Sequence, residues 1–575
     1  MSLIGKLGKS FRFPFWGWLL YFLLLWQILL CAQNPGLMSD DSGEMAAAAY
    51  NLGLPHPPGY PFFNLIGHWV TWVPLGSIAF RLNCFSALLT LISLFLTLAT
   101  IRRLNDFFEK TDEGISFDFL LMALGLVFVS FRGVFTQSLT AKGCVYTLTL
   151  LFMSVAIWLY LFHLKNPDDK RPLTAVWFLW GTGLANHWQT MVLWIPFLLV
   201  WSFQMGRLWK PRTVLLAASF VLMGISPYLY LPLRARLNCE PCWGYPINLS
   251  LFYWVVSRQL VAGVEHWVQG VPFYMESAKE MGRALFLDWI PGFAVLSLGG
   301  LALLWKQNRK VFWGLAALGT PIFFGIFAVH EEYNTYLLPA YLVSLAGLLV
   351  LFGFVAIKSF LENLAVPKAI PLLIGVFGLL AAEQLFGVFQ LEDKSRYTLA
   401  EDFGTNAMKD LPLGAILLAD GDHYVMPIWY SHFAQGKRPD LVFEPSVFLY
   451  HGWGWKQLGD QSEDLKPLVN ASNLFQDRLN ALTQAAPRHP LFRSLGREFL
   501  GPALDKMPGV WVPRGLVYAW EPRMPSGSER LSQAFRGIGE ERLRGLEADG
   551  TGAEMDPSSQ QIYRYYAGQL SAWKQ

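Results

Sequence analysis

The chain has 575 residues, 53% hydrophobic, 15% aromatic and 15% charged. Soluble chains carry about 25% charged residues, so this composition excludes an ordinary soluble globular protein and indicates a polytopic membrane protein. The formal net charge of +3 is too small to suggest a nucleic-acid partner, so charge matters here through its placement.

In chain order, apolar runs long enough to span a bilayer fall at about 14–32, 79–101, 117–135, 144–163, 173–186, 188–204, 213–233, 286–305, 311–329, 337–357 and 369–388. That is a bundle of about 11 transmembrane helices, in which 173–186 and 188–204 are the short pair, divided by a brief turn. The first run lacks a small-x-small cleavage site and an acidic motif follows it at once, so it reads as an uncleaved helix.

Basic residues test the topology. Lys6, Lys9 and Arg12, then Arg102, Arg103 and Lys110, Lys165, Lys170 and Arg171, Arg207, Lys210 and Arg212, Lys306, Arg309 and Lys310, and Lys358 and Lys368 all fall on one side of eleven spans. The opposite loops 33–78, 185–190 and 330–336 have no Lys or Arg. The asymmetry predicts a cytoplasmic N-terminus, an integral multi-pass membrane protein (inner membrane if bacterial), and a C-terminal region outside the cytoplasm.

The first outer loop holds Asp40-Asp41-Ser-Gly-Glu44, an Ala-rich helix over 44–51, and His56-Pro-Pro-Gly-Tyr-Pro61. With no Lys or Arg in the loop, the carboxylates read as an unneutralised cluster at a membrane mouth, which marks a functional site. Asp41 and Glu44 are three residues apart and share a face if a helix starts there, with Ser42 or Asp41 as its cap. A carboxylate in that position suits a general base toward a hydroxyl. His56 begins a rigid turn and reads equally as a structural histidine or as a substrate-facing imidazole.

Aromatic stretches at 62–74 and within 235–285, for example 251–260, read as interfacial helices. Cationic and polar groups of the outer face complement the acidic cluster: Lys142, His187, Arg234, Arg236 and, in the short loop His330-Glu-Glu-Tyr333-Asn-Thr-Tyr336, Tyr336. Arg pairs well with phosphate, although an outer-end Arg is as often only an anchor. Cys239-Glu-Pro-Cys242 is too small a set for structural zinc and reads as a local disulfide or two free thiols. Cys31, Cys84 and Cys144 read as apolar packers.

The tail, 389–575, reads as a C-terminal α/β extracytoplasmic domain beyond a transmembrane module at 1–388. A strand at 415–419, a turn at 420–423, a helix at 426–433 and a strand at 441–443 form a βαβ-like unit, with helical stretches near 473–485, 528–548 and 557–573. The chain has no Walker loop, Rossmann glycine fingerprint, Gly-x-Ser-x-Gly elbow or His-Glu-x-x-His motif.

Asp41-Ser-Gly-Glu44 followed by His56-Pro-Pro-Gly-Tyr-Pro61 resembles the signature of a multi-spanning family of the GT-C glycosyltransferase superfamily, the family that includes the animal O-mannosyltransferase of plexin-type domains. The resemblance continues at Gly183-Leu-Ala-Asn-His187, Tyr228-Leu-Tyr-Leu-Pro-Leu-Arg234-Ala-Arg236, Trp243-Gly-Tyr-Pro246, Tyr333–Pro339, 415–422 and 436–440. One departure is Gly143-Cys144-Val145-Tyr146, where the family shows Ala-Glu-Val-Tyr; Asp40 is a candidate to offset the missing carboxylate.

The resemblance implies a mainly α, GT-C-like bundle and a sugar donor carried on a polyprenyl phosphate. It implies transfer of a sugar, with mannose in view, to a protein Ser/Thr or glycan hydroxyl on the extracytoplasmic side. Asp41 is the expected base, with inversion at the sugar carbon. Glu44 is its catalytic neighbour, and Asp40, His56, Lys142, His187, Arg234, Arg236 and Tyr336 are the expected substrate-binding set. No cofactor is required by these residues, and a divalent metal is left open. The competing readings are a lipid-linked-sugar flippase or transporter, and an envelope assembly factor working through its tail.

Overall fold

The computed structural model describes residues 14–38, 41–105, 115–206, 211–237, 239–259, most of 301–320, 369–471, 474–494 and 501–524, with a few more between 272 and 279. Asp40, the loop with Tyr336, the expected span at 337–357, most of that at 286–305, the second half of that at 311–329, and the expected helices at 528–548 and 557–573 lie outside the described residues.

Among the described residues, five helices are long and apolar enough to cross a membrane: Phe15–Ala32, Ile78–Arg103, Gly143–Lys165, Pro211–Ala235 and Pro371–Glu392. Phe117–Ser130 and Ile195–Gln204 are shorter apolar helices. The expected spans at 173–186 and 188–204 take a different form. One helix runs Arg171–Val192 with non-helical backbone at His187 (φ −148°, ψ 85°), and Ile195–Gln204 follows. The brief turn read between them is therefore a kink inside a longer helix. A large apolar core built chiefly from these helices holds Trp194, Phe197, Trp201 and Tyr160 fully buried.

The loop that follows Phe15–Ala32 folds into two helices. Four alanines in Ser42–Asn51 favour helix and pack closely because they are small. The helix stops at Leu52, which takes a left-handed conformation (φ 53°). Pro61 then starts Pro61–Thr71 at a first-turn position, where its missing N–H costs no hydrogen bond. The expected helix at 251–260 is Leu249–Val256, capped by Asn248, which accepts from the Leu251 N–H. Cys239 and Cys242 form a disulfide.

The tail contains a five-stranded sheet. Its strands are β1 Ile416–Ala419, β2 Val442–Pro445, β3 Leu491–Arg493, β4 Val510–Arg514 and β5 Val517–Glu521, in the order β2-β1-β3-β5-β4. β1 is wholly buried and pairs in parallel with β2 and β3, so the βαβ unit read from the sequence is present, with Asp422–Trp429 as its helix. β3–β5 and β4–β5 pair antiparallel.

The tail packs directly on the Ser42–Asn51 helix. A Cβ placed on Gly43 would lie 2.3 Å from the Met426 carbonyl oxygen, so only glycine lets the Ser42–Asn51 and Asp422–Trp429 helices approach this closely. Trp243, from the second large outer loop, is buried in the core cluster of the tail.

Candidate active site

Asp41 stands at the N-cap position of Ser42–Asn51, but its side chain does not cap the helix. Its Oδ2 lies 2.7 Å from Lys142 Nζ instead. The Lys142 backbone N–H also donates to Ser42 Oγ at 3.3 Å, so two bonds tie the start of this helix to the start of Gly143–Lys165. The expectation of an unneutralised cluster is thereby corrected. The compensating cation comes from a loop 100 residues away in sequence, which a local reading of charge does not reach.

Glu44 faces the same space and is fully buried (0% exposed). Its Oε1 accepts the His56 backbone N–H at 2.7 Å, and its Oε2 lies 2.6 Å from His56 Nδ1. His56 Nε2 lies 3.0 Å from the Tyr60 hydroxyl. The His56-Pro-Pro-Gly turn makes this geometry: the Gly59 N–H donates to the His56 carbonyl at 2.9 Å, and Gly59 has φ +90°. Tyr60 stacks on His187 with ring centroids 6.0 Å apart, and Tyr146 meets His187 edge-on at 5.5 Å. Nδ1 of His187 lies 2.7 Å from Thr190 Oγ1. The kink at His187 places this ring beside the His56 turn.

Electrostatics separate the two carboxyls. Burial pushes the Asp41 carboxyl up, but Lys142, His56 and Arg258 outweigh it and hold it at about 2. Burial also pushes Glu44 up, and there His56 only partly offsets it. Burial lowers His56, but the Glu44 and Asp41 charges prevail and raise it above the ordinary histidine range. Beside the Glu44 and Asp41 charges His56 thus retains a proton that it would release more readily without them.

Asp41, Glu44 and His56 each offer one ligand atom, all within 4.8 Å of one another, which is a spacing able to hold a metal ion. The same atoms are engaged as two ion pairs, Asp41 with Lys142 and Glu44 with His56. A metal would therefore have to compete with an ammonium and an imidazolium.

Arg234 and Arg236 do not join the cluster as expected. Arg234 Nε donates to the Leu52 carbonyl at 2.7 Å and its Nη2 to the Asn51 carbonyl at 3.1 Å. These are carbonyls at the C-terminus of Ser42–Asn51, so the guanidinium anchors that helix end. Arg236 is exposed and donates to the Ile247 carbonyl at 3.2 Å. Cys144 is buried and its thiol points to the Leu82 carbonyl at 3.1 Å; the neighbouring residue that reaches the carboxylates is Lys142.

Sequence reasoning missed Arg258. It is 8% exposed, follows the Leu249–Val256 helix, and acts electrostatically on Asp41, His56 and His187. With the Gln189 amide oxygen turned toward it, its Nε donates to that oxygen at 3.1 Å. The available signal was a cation closing an apolar interfacial helix. Trp243 is the second missed contact, with its ring 6.4 Å from His56.

Comparison with known proteins follows this geometry. Residues 41–210 match the family model described as the protein O-mannosyl-transferase TMEM260 N-terminal domain. The protein O-mannosyl-transferase TMEM260 of Mus musculus is 25% identical over 456 residues, covering 72% of this chain and 60% of the relative. That of Dictyostelium discoideum is 24% identical over 490 residues, covering 74% and 56%. The chain thus spans less than two thirds of the length of these relatives.

Among solved structures, ArnT from Cupriavidus metallidurans bound to undecaprenyl phosphate matches with a TM-score of 0.51 and 12% identity, over 89% of this chain and 100% of that one. Its apo state matches with a TM-score of 0.52 and 13% identity, over 89% and 99%. Sequence and fold bear out the resemblance read from residues 41–44 and 56–61: this is a membrane chain with the GT-C fold, similar to the TMEM260 protein O-mannosyltransferases.

Proposed function

We propose that this protein is a glycosyltransferase that moves a sugar, mannose first among candidates, from a polyprenyl-phosphate donor to a hydroxyl of a protein or glycan. The reaction takes place on the extracytoplasmic face, the N-terminus is cytoplasmic, and residues 389–575 form the extracytoplasmic domain beyond a membrane module at 1–388. The observation that carries this reading is the paired cluster itself. Two carboxylates, Asp41 and Glu44, meet three groups able to carry positive charge, Lys142, His56 and Arg258. An excess of positive charge at a membrane-facing loop suits an anionic lipid phosphate.

In the proposed step the acceptor oxygen attacks the sugar carbon from the face opposite the phosphate. The bond between that carbon and the phosphate oxygen breaks, and its electron pair leaves with the phosphate. Inversion follows. The acceptor proton passes to Asp41.

A carboxylate held near 2 is a weak base toward a free alcohol. It is strong enough for the hydroxyl proton once the new C–O bond has made that proton far more acidic, so transfer of the proton falls late in the step. Lys142 and Arg258 lie where cations would stabilise the leaving phosphate. His56, with Glu44 and Tyr60, holds the turn that shapes the site.

The relatives' names supply mannose and a protein acceptor as first candidates, and the ArnT structure supplies undecaprenyl phosphate as a model for the lipid carrier. Incubation of the purified protein with a panel of polyprenyl-phosphate sugars and a peptide acceptor, with and without EDTA, tests the reading. The two ion pairs predict the same transfer rate in both arms. Movement of lipid-linked sugar across vesicles with no transfer would reject it.

A further inference from the structure

A second cavity lies between the Cys239–Tyr245 loop and the C-terminal sheet, with a volume of about 80 Å³. By the share of such volume that one water needs, it holds about five to eight waters, roughly the room of one sugar ring. Its walls have two characters. Tyr245, Trp429, Phe433 and Phe448 form an aromatic side, of which Tyr245 and Phe433 are half-buried and the other two buried, while Glu240, Glu444 and Asp460 give carboxyls.

No Lys or Arg lines the cavity, so it does not suit a phosphate or a carboxylate ligand. Among the described residues its carboxyls form no metal-sized group; the group that does is Asp41, Glu44 and His56.

Glu444 is the informative residue. It sits on edge strand β2 and is 2% exposed. Gln461 reaches that edge: its Oε1 accepts the Phe443 N–H at 2.9 Å, and its Nε2 donates to the Phe443 carbonyl and to Glu444 Oε2, both at 3.0 Å. Glu444 Oε1 is buried with no hydrogen-bond partner. A buried polar atom left unpaired is costly, and one on a residue that lines a cavity marks a place for a ligand group. Burial, with Glu240 nearby, raises Glu444 well above the usual carboxylate range, although Gln461 opposes this. A neutral carboxyl can both donate to and accept from a hydroxyl.

We infer that this cavity binds one uncharged sugar unit, its ring against Tyr245 and Phe433, the half-buried aromatics of the lining, and a hydroxyl on Glu444 Oε1. The negative face of an aromatic ring attracts the polarised C–H groups of a sugar. The cavity is coupled to the catalytic motif. Leu54 N–H donates to the Pro241 carbonyl at 2.7 Å, and Trp243 N–H to the Leu54 carbonyl at 3.0 Å. Trp243 lies between His56 (6.4 Å) and Phe448 (4.6 Å). A sugar already carried by the acceptor would therefore sit one aromatic layer behind the reacting cluster; that role rests on the transfer reading, whereas binding itself does not.

The test is titration of the purified full-length protein in detergent with methyl α-mannoside, followed by calorimetry and saturation-transfer NMR. Saturable binding is expected. Glu444→Ala should weaken it at least tenfold, exposed Asp460→Ala several-fold, and Asp41→Asn not at all. No saturable binding by the wild type overturns the inference. So does binding lost in Asp41→Asn but kept in Glu444→Ala and Asp460→Ala, which would place the sugar at the catalytic cluster. Saturable binding of Nα-acetyl-lysine amide with no sugar binding would overturn the inference and assign the cavity to a cation instead. Transfer activity that survives in a protein without this binding would leave the catalytic reading intact and reject only the pocket.

Discussion

Lys142 Nζ lies 2.7 Å from Asp41 Oδ2, although the two residues come from loops far apart in the sequence. This pair holds Asp41 ionised at about 2 against the upward pull of burial. A folded-state value below the ordinary 3.8 means that the pair contributes stability above pH 3.8 and loses it as pH falls through about 2.

Replacing Lys142 with Met should therefore raise the Asp41 value. The acid limb of the transfer rate should move up by about one pH unit or more. At neutral pH the rate should fall roughly tenfold, because a cation facing the phosphate is gone as well. A pH–rate profile of the variant beside the wild type measures both effects. An unmoved acid limb would separate Lys142 from the ionisation of Asp41.

The Glu44–His56 pair predicts the opposite pH trend. The folded His56 value is raised, so its contribution is complete below pH 6.5 and disappears as pH rises through the folded value. Glu44 is raised too, which carries the same sign. Thermal melts of the wild type should show Tm falling above pH 6.5, and Glu44→Gln should flatten that slope. His56→Ala should cost about 3–5 kcal/mol, because it leaves the fully buried Glu44 without its cation.

Arg234 is a positioning residue in this account. Arg234→Ala should free the Asn51 and Leu52 carbonyls and cost about 1–3 kcal/mol. Arg234→Lys should restore part of the stability. If Arg234 instead bound donor phosphate, Arg234→Ala would raise the apparent KM for the lipid donor with Tm unchanged.

Gly43→Ala tests the docking of the tail. The added methyl would meet the Met426 carbonyl oxygen, and overpacking of this kind costs about 1–3 kcal/mol. Limited proteolysis should cut the tail faster in this variant, and transfer should fall with it. Unchanged proteolysis would mean that the contact does not hold the tail in place.

The sequence made the membrane class, the Ala-rich helix, the aromatic helices Pro61–Thr71 and Leu249–Val256 and the βαβ unit legible, because each has a local period or a local breaker. Asp41, Glu44 and His56 were legible for the same reason: they lie within one short loop and converge through its turn. Lys142 was identified as a cation, but its pairing was not, since that depends on a contact across 100 residues. Sequence alone leaves the role of Arg234 open, because an Arg that anchors a helix end and an Arg that holds phosphate have the same local sequence; its bonds to the Asn51 and Leu52 carbonyls show only in the fold. Strands β3 to β5 went unread; β3 has only three residues, too few for alternation to show. Arg258 lay beyond reach because Gln189 and the acidic cluster meet it only in the folded chain.

Transfer by Asp41→Asn measures the central claim most directly. Purified wild type and variant would be given radiolabelled polyprenyl-phosphate mannose and a Ser/Thr acceptor peptide, with matched expression and matched Tm. Asn keeps the size of the side chain but removes its charge and its basicity, so labelled peptide should fall at least a hundredfold, within the range general-base catalysis supplies. Wild-type rates of labelling in Asp41→Asn would contradict the role of Asp41 and with it the mechanism.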